Sequence, residues 1–68
     1  MRRRDVTSAL RQMAKESGTE FWLVRNGAKH DVYRLGELVI TMPRHVEINE
    51  LTARGILKDA AKYLKEGT

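Results

Sequence analysis

The residues of this chain that could do chemistry are its two histidines and the cations around them. His30 comes three residues after Gly27, and His45 directly follows Arg44. A neutral imidazole accepts a proton, whereas an imidazolium donates one or neutralises phosphate charge. His30 could therefore take the proton of a ribose 2′-hydroxyl. Spacing alone leaves an alternative open, in which His30 is only a polar residue at the start of a strand.

Basic side chains are concentrated around the histidines. The stretch from residue 26 to residue 45 and its border contain four cations, Arg25, Lys29, Arg34 and Arg44, against the acids Asp31 and Glu37. This balance favours a polyanion as ligand. A guanidinium such as that of Arg44, placed just after a strand, suits phosphate recognition. His45 offers a second acid–base group or a phosphate contact, or alternatively orders the loop before the last helix.

The composition of the whole chain agrees with an acidic partner. Thirteen Lys and Arg against nine Asp and Glu give a net charge of +4 and a pI near 9.9. Nucleic acid, a membrane surface or an acidic protein would fit this charge, and a solvated basic surface is the alternative. The run of arginines at residues 2–4 is interpreted first as a flexible basic tail.

Several classes of site and location are disfavoured. The chain has no cysteine, and its histidines lie far apart without carboxylates at a metal-binding spacing, so we expect no metal or cofactor. No apolar run approaches the roughly 18 residues of a membrane span, and the N-terminal arginines are not followed by a signal-peptide core. These features predict a soluble cytoplasmic protein that does not bind membranes.

Two helices are predicted from apolar periodicity. The first covers about residues 5–17, with Asp5 as N-cap and Gly18 as the C-terminal stop. The second follows Asn49 as its cap and ends at Gly67. The predicted buried stripes are Val6, Ala9, Leu10, Met13 and Ala14 in the first helix, and Leu51, Ala53, Ile56, Leu57, Ala60, Ala61 and Leu64 in the second.

Three strands are predicted at residues 20–25, 30–35 and 38–42, with turns at Asn26-Gly27 and at Gly36-Glu37 and a stop at Pro43. Alternation places His30, Val32 and Arg34 on one face, and Asp31, Tyr33 and Leu35 on the other. In the first strand, Phe21 and Leu23 share one face, and Trp22 and Val24 share the other. Trp22 and Tyr33 are candidates for stacking on bases, although at least one of them is expected to pack inside.

The predicted architecture is a single α+β domain over residues 1–68, in the order α-β-β-β-α. The simplest packing lays both helices on one face of a three-stranded antiparallel sheet and leaves the other face open. This topology resembles the double-stranded-RNA-binding domain, but a fold alone does not assign a function.

Three segments carry a more specific resemblance. GAKHDVYR (residues 27–34), TMPRHVEI (41–48) and LTARGILKDA (51–60) are similar to the HicA family of mRNA-interferase toxins. That family has a Gly-x-x-His turn before a strand, then a Pro-Arg-His corner, then a helix containing Ile-Leu-Lys. The three motifs occur here in the same order, and the resemblance covers nearly the whole chain.

The resemblance implies a small bacterial toxin that cleaves mRNA without a metal and is neutralised by a HicB-type antitoxin. The family's catalytic histidine corresponds to His30, and its Pro-Arg-His corner to Pro43, Arg44 and His45. Under this hypothesis His30 is the general base, and Lys29, Arg34 and Arg44 stabilise the extra phosphate charge, while His45 and Arg25 contact the RNA.

Two other functions remain open from the sequence. A non-catalytic RNA-binding module would keep nearly all its affinity after His30→Ala and would never cut RNA. A basic protein-interaction domain would bind an acidic partner and show negligible salt-dependent affinity for RNA.

Overall fold

The computed structural model describes residues 1–66 and contains two helices and a three-stranded antiparallel sheet of order β1-β2-β3. The elements in chain order are α1 (Arg3–Ser17), β1 (Phe21–Asn26), β2 (His30–Leu35), β3 (Leu38–Pro43) and α2 (Glu50–Glu66). The predicted α-β-β-β-α order and the open sheet are confirmed. The predicted helix end at Gly67 lies outside the described residues. No helix in residues 1–66 is long and apolar enough to cross a membrane.

Both helices contribute small and branched apolar side chains to one core on the sheet. The fully or nearly buried core residues are Val6, Leu10, Ala14, Tyr33, Leu35, Ile40, Met42, Ile48, Ala53, Ala60 and Leu64. The prediction of buried residues in α2 is wrong at two positions. Leu51 is 78% exposed, and Ala61 is also exposed. Leu51 lies two residues before the buried Ala53, and residues two apart on a helix do not share a face.

Helix α1 begins earlier than predicted. It starts at Arg3 after Arg2, and no side chain caps it, so the prediction of Asp5 as N-cap is wrong. The reason is backbone pairing with a distant segment. The Arg3 amide donates to the Val46 carbonyl at 2.8 Å, and Arg2 forms an isolated antiparallel β-bridge with Glu47. Residues 1–4 are thus part of the fold, contrary to the expected flexible tail.

The alternation predicted for β2 is confirmed. Asp31, Tyr33 and Leu35 face the core, and the opposite positions lie on the open face. In β1 the alternation is interrupted, because the register shifts between Leu23 and Arg25. This bulge brings Arg25, rather than Val24, opposite the open-face residue Val32.

The two turns use glycine for different reasons. Gly36 has φ +59°, the left-handed conformation expected of a tight turn. Gly27 has no positive φ. A Cβ at Gly27 would instead lie 2.2 Å from the His30 carbonyl oxygen. Glycine is required there because two backbone segments approach closely.

Candidate functional site

His30 is an exposed side chain on a fixed piece of backbone. It is the first residue of β2 and pairs with Pro43 of β3. The Gly27 amide donates to the His30 carbonyl at 2.9 Å, and the Arg44 amide donates to the Lys29 carbonyl at 3.3 Å. The Arg44 guanidinium also donates to the Gly27 carbonyl through Nη1 at 2.9 Å. These contacts hold the loop at residues 27–29, from which His30 projects.

Four of the predicted site residues meet at one cavity. Lys29, His30, Arg44 and His45 line it together with Ala28, and its volume is about 390 Å³. They come together because His30 and Pro43 are register partners, so the start of β2 lies beside the corner that follows β3. We call this space the histidine cavity.

The other two predicted cations lie elsewhere on the sheet. Arg34 is four residues along β2 from His30, which corresponds to about 13 Å at about 3.3 Å per residue. Its guanidinium carbon lies 5.6 Å from the centroid of the Trp22 ring. Arg25 is exposed on β1, opposite Val32. Neither residue lines the histidine cavity.

The two candidates for base stacking are separated by the sheet. Tyr33 is 7% exposed and stacks on Phe21 with 5.0 Å between ring centroids, so it is a core residue. Trp22 is 40% exposed and pairs with Arg34, which places it on the open face. Trp22 is therefore the aromatic side chain that a base could reach.

Asp31 has a structural role that local sequence patterns do not predict. Its carboxylate is buried, with 2% exposure, and it forms an ion pair and hydrogen bond with Arg3. Arg44 Nε lies 3.5 Å from Asp31 Oδ1, an ion-pair contact without hydrogen-bond geometry. The signal in the sequence is that Asp31 shares a strand face with the apolar residues Tyr33 and Leu35. Asp31 ties the first turn of α1 to the corner that carries Arg44.

A second cavity adjoins this corner. Its volume is about 250 Å³, and its lining residues are Arg2, Arg3, Arg4, Arg44, His45 and Val46. We call it the arginine cavity. The sequence alone does not predict this cavity, because a run of arginines at residues 2–4 indicates a flexible tail. One sequence feature does favour an ordered segment there: the arginines directly precede the apolar helical spacing that begins at Val6.

Comparisons with known proteins leave the function to be inferred from the chain itself. No protein-family model, no curated protein and no solved structure matches this chain. Within residues 1–66, no three His, Cys, Asp or Glu side chains come together in a way that could hold a metal ion. The groups that converge at the histidine cavity are two imidazoles, one ammonium and one guanidinium.

Proposed function

We propose that this chain is a metal-independent endoribonuclease, a toxin of the HicA type that cleaves mRNA in the cytoplasm and belongs to a type II toxin–antitoxin system. The observation that carries the proposal is the convergence of Lys29, His30, Arg44 and His45 on one cavity. The α-β-β-β-α fold is the one predicted from the sequence, with a topology that resembles the double-stranded-RNA-binding domain.

His30 acts as the general base. Its neutral imidazole removes the proton from a ribose 2′-hydroxyl, and the resulting oxygen attacks the adjacent phosphorus. The bond from phosphorus to the 2′-oxygen forms while the bond to the 5′-oxygen breaks. The products are a 2′,3′-cyclic phosphate and a 5′-hydroxyl end. The leaving oxygen takes a proton from a second group, for which His45, Lys29 and water are the candidates, and both side chains line the same cavity.

The cations stabilise the charge that builds on the phosphoryl oxygens. Arg44 is suited to this because its two contacts with the protein use Nη1 and Nε, and a guanidinium has five N–H donors. Its side chain is 49% exposed. A guanidinium held by fixed contacts loses little freedom when it binds a phosphate.

The antitoxin proposed for this system is a HicB-type protein. It would place acidic or apolar residues over His30, since the histidine cavity is basic and exposed. A complex in which His30 stays open and active towards RNA would rule out this direct occlusion.

The test is induced expression of the wild type and of His30→Ala in a bacterium, with growth and full-length mRNA followed together. We expect growth arrest and mRNA loss with the wild type only. Purified wild-type protein should leave 2′,3′-cyclic phosphate ends on RNA in the presence of a chelator. Folded His30→Ala protein that cleaves at the wild-type rate would refute the role of His30. Arrest by both proteins without cleavage would indicate an RNA-binding module.

A further inference from the structure

The arginine cavity carries more positive charge than the neighbouring acids neutralise. Arg3 and Arg44 share a single carboxylate, that of Asp31. Arg2 lies 3.7 Å from Glu47, but both side chains are more than half exposed, and such surface pairs contribute little. Arg4 is exposed and has no ion pair within residues 1–66. The cavity is therefore a net cationic surface.

Side chains, rather than the end of helix α1, give the cavity this character. The amides of Arg3, Asp5 and Val6 already donate to carbonyl groups of Val46 and Arg2. Their capacity to bind an anion is thus used within the fold. The guanidinium groups keep free donors, and guanidinium binds phosphate through paired, charge-assisted hydrogen bonds.

The arginine cavity and the histidine cavity are neighbours. Arg44 and His45 line both of them. An RNA strand that has one phosphate at His30 would therefore have a second cationic cavity beside it, at the shared corner. The arginine cavity has a volume of about 250 Å³, several times the roughly 30 Å³ that one water molecule occupies in the liquid, so it has room for a phosphate group.

We propose that the arginine cavity binds a second phosphate of the single-stranded RNA whose scissile phosphate lies at His30. This inference rests on the proposed function and extends it, because it assigns Arg2 and Arg4 as substrate-binding residues. The second phosphate would fix the position of the strand relative to the catalytic imidazole. Single-stranded RNA is the occupant because its phosphates can follow the shared corner without duplex geometry.

The experiment measures binding of a short, fluorescein-labelled, unstructured RNA in which every ribose is 2′-O-methylated. Methylation removes the nucleophile, so the wild-type protein can be used without cleaving the probe. Anisotropy titrations at several KCl concentrations give the affinity and its salt dependence for wild type, Arg4→Gln, Arg4→Lys and Lys62→Gln. Lys62 is an exposed cation of α2 that lines neither cavity, so Lys62→Gln is the matched control.

We expect Arg4→Gln to weaken binding about three- to tenfold near physiological salt and to lower the slope of log K against log[salt] by about 0.7, the value for one single-strand phosphate contact. Arg4→Lys should keep most of the slope, and Lys62→Gln should match wild type. Equal losses in Arg4→Gln and Lys62→Gln would overturn the proposal, since attraction would then be diffuse.

The outcomes separate this inference from the proposed function. If unmodified RNA is cleaved in a His30-dependent way while Arg4→Gln binds like wild type, the arginine cavity is not a phosphate site and the ribonuclease proposal stands. If binding depends on Arg4 but unmodified RNA is never cleaved, the phosphate site stands and catalysis fails. Absence of salt-dependent RNA binding by the wild type would refute both.

Discussion

Replacing Asp31 with asparagine should destabilise the protein and disturb the candidate site at once. Asp31 is 2% exposed and contacts Arg3 of α1 and Arg44 of the corner after β3. Asparagine keeps the size of the side chain and removes its charge. Both guanidinium groups would then lose the anion that holds them, and the tie between α1 and the corner would be lost.

The expected cost is about 2–3 kcal/mol. At the 3.5 Å that separates Arg44 Nε from Asp31 Oδ1, the Coulomb attraction is about 5 kcal/mol with an effective dielectric constant of about 20, before desolvation is subtracted. Removing one partner of a buried pair typically costs about 3–5 kcal/mol. We expect less here, because the Arg3 and Arg44 side chains are 32% and 49% exposed and water can solvate them.

A loss of this size is large for a chain of 68 residues. At about 0.05–0.15 kcal/mol per residue, such a domain has a total stability of about 3–10 kcal/mol. One kcal/mol corresponds to a shift of about 4–8 °C in the melting temperature of a domain this small. Asp31→Asn should therefore melt at least about 8 °C below wild type.

Urea denaturation followed by circular dichroism measures the change in the free energy of unfolding. The control is Asp59→Asn, an exposed acid of α2 without an ion pair within residues 1–66, which should change stability by less than about 0.5 kcal/mol. Adding Arg3→Gln to Asp31→Asn should cost less than the sum of the single changes, because the two residues share one interaction. A loss under about 0.5 kcal/mol for Asp31→Asn would refute the assigned role of the ion pairs.

Four further substitutions, one of them a control, test the turns and the open face. Gly27→Ala would place a Cβ 2.2 Å from the His30 carbonyl oxygen, so it should displace the loop at residues 27–29. RNA cleavage in single-turnover assays should then fall at least tenfold. Cleavage at the wild-type rate would contradict the role of this close approach. Gly36→Ala combines φ +59° with a Cβ 2.7 Å from a tyrosine hydroxyl of α2 and should cost about 1–3 kcal/mol in urea titrations. Gly55→Ala is the control for both glycines, since its Cβ has open space, and it should instead stabilise α2 by about 0.5–1 kcal/mol. Trp22→Ala should weaken anisotropy-measured RNA binding by about 1–3 kcal/mol if a base stacks on this ring, whereas unchanged affinity would place the RNA path away from β1.

Local patterns in the sequence determined the order of the elements. The Asn49 side chain accepts the Leu51 amide at 2.8 Å and caps α2 as predicted, and Gly18 ends α1 with φ 67°. The alternation of β2 grouped His30 with Val32 and Arg34, and the tertiary structure decided that this group lies on the open face. These features depend on neighbours within a few residues, and periodicity and capping chemistry report such neighbours directly.

Only the tertiary structure decided how the candidate site is assembled. The pairing of residues 1–3 with residues 46–48 moved the start of α1 and turned an expected tail into the wall of a cavity. The ion pair of Asp31 with Arg3 joins residues 28 positions apart, and the bulge in β1 depends on the strand beside it. No local pattern encodes such contacts, because they form only when the core brings distant segments together. The sequence by itself determined which chemical groups the protein has, and packing decided which of them meet.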